Sequence, residues 1–166
     1  MILLADANIL FDFGWVNGLR ELASLGPLEV LENVLDEVKK DDELRDIATT
    51  LLNLGVTVVP LEDDWVIAVL TSKRGKLSIP DATCLHYAKL TERTVLTSER
   101  RLRERCIAEG VDVHGSLWVV QELHQRGLCA SSVMCGWFGE WAKQGARLPE
   151  AALRELRTTL GCTDLS

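Results

Sequence analysis

The most constraining feature of this chain is an alternation of short apolar runs with segments of helical periodicity. The apolar runs, rich in β-branched and aliphatic residues, occupy residues 2–5, 28–31, 56–59, 94–97 and 111–113. A helical pattern follows each of them. Strands that are apolar throughout are typical of a parallel sheet buried on both faces by helices. The pattern therefore predicts an α/β fold, a three-layer sandwich around a central parallel sheet.

The alternation ends after Gly115, and the rest of the chain predicts helices at about 116–126, 132–145 and 149–160. These C-terminal helices either pack on the same core or form a contact between two copies, so a homodimer is one expectation. The chain has 166 residues and lacks a linker-like or low-complexity stretch. We therefore predict a single domain over residues 1–166.

Composition argues against several classes of protein. The 18 Lys and Arg residues against 25 Asp and Glu give a net charge of −7, which disfavours general adhesion to nucleic acid or to an anionic membrane. No apolar run is long enough to span a membrane, and the opening run lacks the basic leader of a signal peptide, so we expect a cytoplasmic protein. The five cysteines show no paired-ligand spacing. We expect reduced, mostly buried thiols, with neither structural zinc nor a disulfide framework.

Four carboxylates fall where a parallel sheet places its ligand site, beyond the carboxyl ends of the strands. Asp6 directly follows the first apolar run, and Glu99 follows the fourth. Glu37 lies on the helix after the second run, and Asp81 lies in the first turn of the helix that Pro80 opens. Taken singly, each is more simply explained as a helix cap, a turn residue or a surface charge. Their joint placement predicts one acidic cleft.

Such a cleft needs compensation, because two carboxylates about 4 Å apart repel by on the order of 4 kcal/mol at an effective dielectric near 20. Either some of the groups stay protonated with a raised pKa, or a cation neutralises them. Oxygen ligands without thiolate or imidazole favour Mg²⁺ or Mn²⁺. Carboxylate-held metals of this kind support in-line displacement at phosphorus, so phosphodiester hydrolysis is the expected chemistry.

These residues resemble the PIN domain, a family of small metal-dependent nucleases. The resemblance lies in Asp6-Ala7-Asn8, Glu37, Pro80-Asp81-Ala82 and Leu96-Thr97-Ser98-Glu99. It covers about residues 1–127, which we expect to be the core, and leaves about 128–166 as a helical extension similar to that of an uncharacterised PIN-like subgroup. The chain departs from the family at two positions, with Glu99 in place of Asp and Ala7 in place of Ser or Thr.

The resemblance implies a role for each matching residue. The implied catalytic residues are Asp6, Glu37, Asp81 and Glu99. Of these, Asp6, Asp81 and Glu99 are the implied ligands of Mg²⁺ or Mn²⁺, and Asn8 is a polar neighbour placed to contact substrate. The implied activity is that of an endoribonuclease acting on single-stranded or structured RNA. Many PIN proteins are toxins of toxin-antitoxin pairs, so an antitoxin protein is an implied partner.

Two alternatives are weighed against the nuclease. A catalytically weak PIN-like module that only binds protein or RNA is suggested by Ala7 and Glu99. Another Rossmann-like phosphotransfer domain, such as a haloacid dehalogenase-type phosphatase, is disfavoured because Asn8 stands where that class needs a second Asp.

Basic and aromatic residues add candidates for substrate binding. Arg100 and Arg101 are the basic candidates, on a helix that also carries Arg103 and Arg105, and a second basic group precedes Asp81 at Lys73, Arg74 and Lys76. An ordinary solvated helix face explains such charges about as well. For the three tryptophans near the C-terminus, Trp118, Trp137 and Trp141, core packing or a subunit contact is favoured over base stacking.

Overall fold

The computed structural model of the protein describes residues 1–41, 43, 46–72 and 75–163. Within these residues, five short strands form one parallel sheet in the order β3-β2-β1-β4-β5. The strands are β1 (Leu3–Ala5), β2 (Leu28–Leu31), β3 (Thr57–Val59), β4 (Thr94–Leu96) and β5 (Val113–His114). The predicted α/β fold with a central parallel sheet is confirmed.

Helices flank the sheet and connect its strands. They are α1 (Ala7–Trp15), α2 (Leu19–Ser24), α3 (Glu32–Lys39), α4 (Ile47–Asn53), α5 (Asp63–Thr71), α6 (Ile79–Thr91), α7 (Arg100–Ala108), α8 (Ser116–Gln125), α9 (Ser131–Lys143) and α10 (Glu150–Leu160). The three helices predicted after Gly115 correspond to α8, α9 and α10. No helix in the described ranges is both long and apolar enough to cross a lipid bilayer.

The last strand lies later in the chain than its predicted position at 111–113. The Val111 N–H still donates to the Cys106 carbonyl, at 2.8 Å, in the turn that ends α7. The chain joins the sheet from the next residue onward, where the N–H of Val95 donates to the Asp112 carbonyl at 2.9 Å and the N–H of Thr97 donates to the His114 carbonyl at 3.0 Å. The turn that ends α7 therefore includes Val111, which the sequence pattern assigned to the strand.

Strand order places β1 at the centre, with β2 on one side and β4 on the other. Since the chain moves outward through β2 and β3 before returning to β4, the order reverses between β1 and β4. In open α/β sheets, ligands bind beyond the carboxyl ends of the strands at this switch point. Asp6 lies there, and its N–H donates to the Leu96 carbonyl at 3.0 Å.

The C-terminal helices share the core with the first helix through a cluster of aromatic rings. The Phe13 ring lies edge-on to Trp137 at 5.6 Å and to Trp141 at 5.5 Å, measured between ring centroids. The indole N–H of Trp141 donates to the Asp12 carbonyl at 2.7 Å, and both tryptophans are buried. Of the two roles predicted for Trp137 and Trp141, core packing or a subunit contact, their burial confirms core packing.

The expectation that all cysteines are reduced is wrong for Cys135 and Cys162, which form a disulfide with a Cα–Cα distance of 5.5 Å. Gly161 ends α10 in the left-handed region, with φ of 70°, and turns the chain back toward α9. The sequence carries no sign of this pairing because it depends on how α9 and α10 pack. The remaining cysteines are free, with Cys84 and Cys106 buried and Cys129 half-buried.

We expect Trp141→Phe to lower the free energy of unfolding by about 2 kcal/mol, because the Asp12 carbonyl loses its donor and a space opens beside Phe13. Urea denaturation measures this. The control is Trp118→Phe, at a half-buried ring stacked on His114, with an expected loss below about 1 kcal/mol. A single unfolding transition is expected for both variants. Equal losses would contradict the central position of Trp141.

We expect a reductant to lower the melting temperature of the wild-type protein. The disulfide joins residues separated by 27 positions, for which loop-closure entropy predicts a stabilisation of about 3–4 kcal/mol. The double variant Cys135→Ser, Cys162→Ser is the control, and it should melt at the lower temperature with or without reductant. A wild-type melting temperature that does not respond to dithiothreitol would show that the two thiols are unpaired in solution.

Candidate active site

The site begins with Asp6, which the fold buries at the point where β1 passes into α1. Its side chain caps α1, with Oδ1 accepting a hydrogen bond from the Ala7 N–H at 2.6 Å. Oδ2 accepts a hydrogen bond from the Thr97 hydroxyl at 2.7 Å. Only 1% of Asp6 is exposed to solvent. A carboxylate with so little water around it has to be stabilised by its neighbours.

Asp6 lies close to a second acid, Asp81, in the first turn of α6. Burial and, after it, the charge of Asp81 raise the pKa of Asp6 to about 7, against the opposing hydrogen bonds from Thr97 and Ala7. Burial also raises the pKa of Asp81, as does the charge of Glu99, while hydrogen bonds with Ser78 and with Asp6 lower it. The repulsion between converging carboxylates that we expected from the sequence is present in this pair.

Thr97 joins the Asp6 side chain to the loop after β4, and it is a site residue that sequence reasoning missed. Its hydroxyl donates to Asp6 and accepts from the Glu99 N–H at 3.0 Å, and the side chain is fully buried. The Thr97 hydroxyl thus acts as donor and acceptor at once, and it links the residue after β1 to the loop after β4. The available signal was a polar residue at the end of an otherwise apolar strand, directly before the Ser98-Glu99 pair.

Glu99 lies at the same edge, but both of its carboxylate oxygens are engaged. Oε1 accepts from the Arg101 N–H at 3.3 Å as the cap of α7, and Oε2 accepts from the Asn8 amide at 3.3 Å. Asn8 therefore contacts an acidic residue of the site, where the sequence predicted a contact with substrate.

Glu37 is the most peripheral of the four acids. It lies exposed on α3, yet burial raises its pKa and the charge of Asp81 raises it further, while Lys40 opposes the shift. Asp81 thus interacts electrostatically with each of the other three acids, Asp6, Glu37 and Glu99. The structure brings the four predicted carboxylates into one region, with Asp81 at the middle.

The fit to a divalent cation is best at the Asp6 and Asp81 pair. Its donors are all carboxylate oxygens, the ligands that Mg²⁺ and Mn²⁺ prefer, and their mutual repulsion is relieved by a cation. No group of three or more His, Cys, Asp or Glu side chains in the described ranges is spaced to hold a metal ion. Glu37 and Glu99 therefore lie around the pair without closing a cage over it.

The predicted basic residues differ in what they contact. Arg100 is exposed and pairs with Glu104, one turn further along α7, at 2.8 Å. Arg101 is also exposed, and only its backbone N–H takes part in the site. Two members of the second basic group, Lys73 and Arg74, lie outside the described residues.

A family model for the PIN domain matches residues 2–161. The chain belongs to the PIN-domain family. Members of this family are generally nucleases and usually use divalent metal ions. A solved structure with a similar fold is the crystal structure of PAE2754 from Pyrobaculum aerophilum, at a TM-score of 0.57 and 15% sequence identity, covering 75% of this chain and 90% of the other. No curated protein matches the chain.

For the metal-free PIN domain, we expect the free energy of unfolding to fall as the pH rises from about 5 to 8. Asp6 has an ordinary pKa of 3.8 and a pKa of about 7 in the fold. Between these values the folded chain keeps a proton that the unfolded chain has lost, so raising the pH removes stability until the folded pKa is passed. The expected loss is about 1–3 kcal/mol.

Urea denaturation at several pH values in the presence of EDTA measures this dependence. Asp6→Asn should show a flatter profile because it removes the shifted group. The variant should equal or exceed the wild type in stability at the upper end of the range. Parallel profiles for the two proteins would contradict the assignment of the raised pKa to Asp6.

Proposed function

We propose that this PIN domain is a ribonuclease that depends on Mg²⁺ or Mn²⁺ held by Asp6 and Asp81. One observation supports this proposal above the others. Two carboxylates lie together at the switch point of the sheet, and the pKa of Asp6 is raised to about 7 by burial and by the charge of Asp81. A purely structural carboxylate at this position would be expected to face a basic partner. The pair instead offers the oxygen donors that a hard cation takes.

Each residue of the site has a distinct part in this proposal. A divalent cation at the pair would supply the charge that stabilises displacement at phosphorus. Thr97 fixes the orientation of Asp6 through their hydrogen bond, and Asn8 holds Glu99 at the edge of the site. Glu37, which is exposed, would orient water.

The substrate class that we propose is RNA, single-stranded or structured, with Arg100 and Arg101 as contacts to its backbone. Both arginines lie in the first turn of α7, which begins directly after Glu99. An antitoxin protein and a second copy of the chain are further proposed partners, supported by the character of the family. With its net charge of −7, the protein would bind RNA locally and with strong salt dependence.

A second candidate function is a catalytically weak module that binds RNA or protein. The state of Glu99 favours it, since Asn8 and the Arg101 N–H occupy the two oxygens of a residue that the family resemblance implies as a metal ligand.

Measurements of metal binding distinguish the nuclease from the binding module. For a nuclease, titration calorimetry should detect Mn²⁺ binding to the wild-type protein, and Mn²⁺ should raise its melting temperature because it binds only the folded state. The double variant Asp6→Asn, Asp81→Asn should lose both effects and should reduce RNA cleavage by at least about 100-fold. The control is Asp36→Asn, an exposed carboxylate beside Glu37, which should retain binding and cleavage.

Two results would reject the nuclease. One is Mn²⁺ binding that persists unchanged in the double variant. The other is an absence of Mn²⁺ binding by the wild-type protein, together with RNA that stays intact after prolonged incubation. Retained RNA binding without cleavage would favour the binding module.

A further inference from the structure

Arg103 lies at the same edge of the sheet as the acidic pair, one helical turn after Glu99. Its guanidinium packs against Gly115, the residue that follows β5. A Cβ atom built on Gly115 would lie 3.3 Å from Arg103 Nη1 and 3.5 Å from the carbonyl oxygen of Thr97. The Arg103 guanidinium and the backbone of Thr97, the residue whose hydroxyl holds Asp6, therefore both border Gly115. The glycine leaves the space that the guanidinium fills.

Among the described residues, Arg103 differs from Arg100 and Arg105 on α7 in having no acidic partner. Arg100 pairs with Glu104 and Arg105 pairs with Glu109, at 2.8 Å and 3.0 Å. Within the described part of the chain, Arg103 makes no side-chain hydrogen bond or ion pair, and its Nε is buried without a partner. A buried charged donor without an acceptor is costly, so its presence calls for an explanation.

We propose that Arg103 binds a phosphate of the RNA backbone beside the acidic pair. This inference rests on the proposed ribonuclease function and names the residue that positions its substrate. A polyanion approaching four carboxylates on a protein of charge −7 needs a cation at the point of contact. A guanidinium matches phosphate geometry with two parallel donors. The phosphate would accept from the terminal nitrogens of Arg103, which, unlike Nε, are not buried and have no acceptor among the described residues.

Binding of a fluorescein-labelled single-stranded oligoribonucleotide of mixed sequence tests this inference. The measurement is made by anisotropy over a series of salt concentrations, in an Asp6→Asn background that prevents cleavage. Arg103→Gln should raise the Kd by about 3- to 10-fold and reduce the slope of log K against log salt by about 0.7, the change for one phosphate contact on a single strand. The Kd of Arg103→Lys should lie between those of the wild type and Arg103→Gln, because lysine keeps the charge and loses the paired donors.

The matched control is Arg157→Gln, which removes the same charge from a half-buried arginine on α10. It should change the Kd by less than about twofold, through long-range charge alone. A second variant, Gly115→Ala, keeps every charge and displaces the guanidinium, so it should weaken binding in the same direction as Arg103→Gln. Thermal melting of each variant verifies that it is folded.

The outcomes distinguish this inference from the proposed function. If the wild-type protein fails to cleave RNA while Arg103→Gln still weakens binding and lowers the salt slope, the nuclease fails and the phosphate contact stands. If the wild-type protein cleaves RNA and Arg103→Gln binds like the Arg157 control, the inference is overturned. Lack of RNA binding at the lowest salt concentration also overturns it. In the active protein, Arg103→Gln should raise KM more than it lowers kcat.

Discussion

The burial of one carboxylate, Asp6, is the constraint around which the site is organised. Placing it at the end of the central strand removes nearly all of its water, and the fold compensates with a backbone donor and the Thr97 hydroxyl. Those two hydrogen bonds favour the ionised form, while burial and Asp81 oppose it more strongly, and the pKa rises to about 7. A protein designed only for stability would have little reason to keep an acid there.

The geometry of the sheet explains why these particular residues meet. β1 lies between β2 and β4, so the ends of β1 and β4 are adjacent although Asp6 and Thr97 are far apart in sequence. Helix α6 then brings Asp81 to the same edge, with the Ser78 hydroxyl accepting a hydrogen bond from the Asp81 N–H at 3.1 Å. Each acid is thus placed by a different element, and each loses some freedom to relax away from the others.

A second, half-buried acid, Asp12, connects the C-terminal helices to this edge. The Asp12 carboxylate accepts a hydrogen bond from the Ser116 hydroxyl, at the start of α8, at 2.7 Å. Burial raises its pKa, and hydrogen bonds with Ser116 and Ser98 lower it. Since Ser98 lies between Thr97 and Glu99, the packing of the C-terminal helices and the position of the loop after β4 are physically connected.

The sequence by itself determined the fold class, the approximate position of every strand, and the four acids, because strand burial and helical periodicity are local patterns that do not depend on distant contacts. Only the tertiary structure decided how those acids interact. It buried Asp6 beside Asp81 and engaged Glu99 with Asn8. It also joined Cys135 to Cys162 and buried the Nε of Arg103 without a partner among the described residues. Each of these features depends on contacts between segments far apart in the chain. Such contacts produce no regular spacing in the sequence from which they could be predicted.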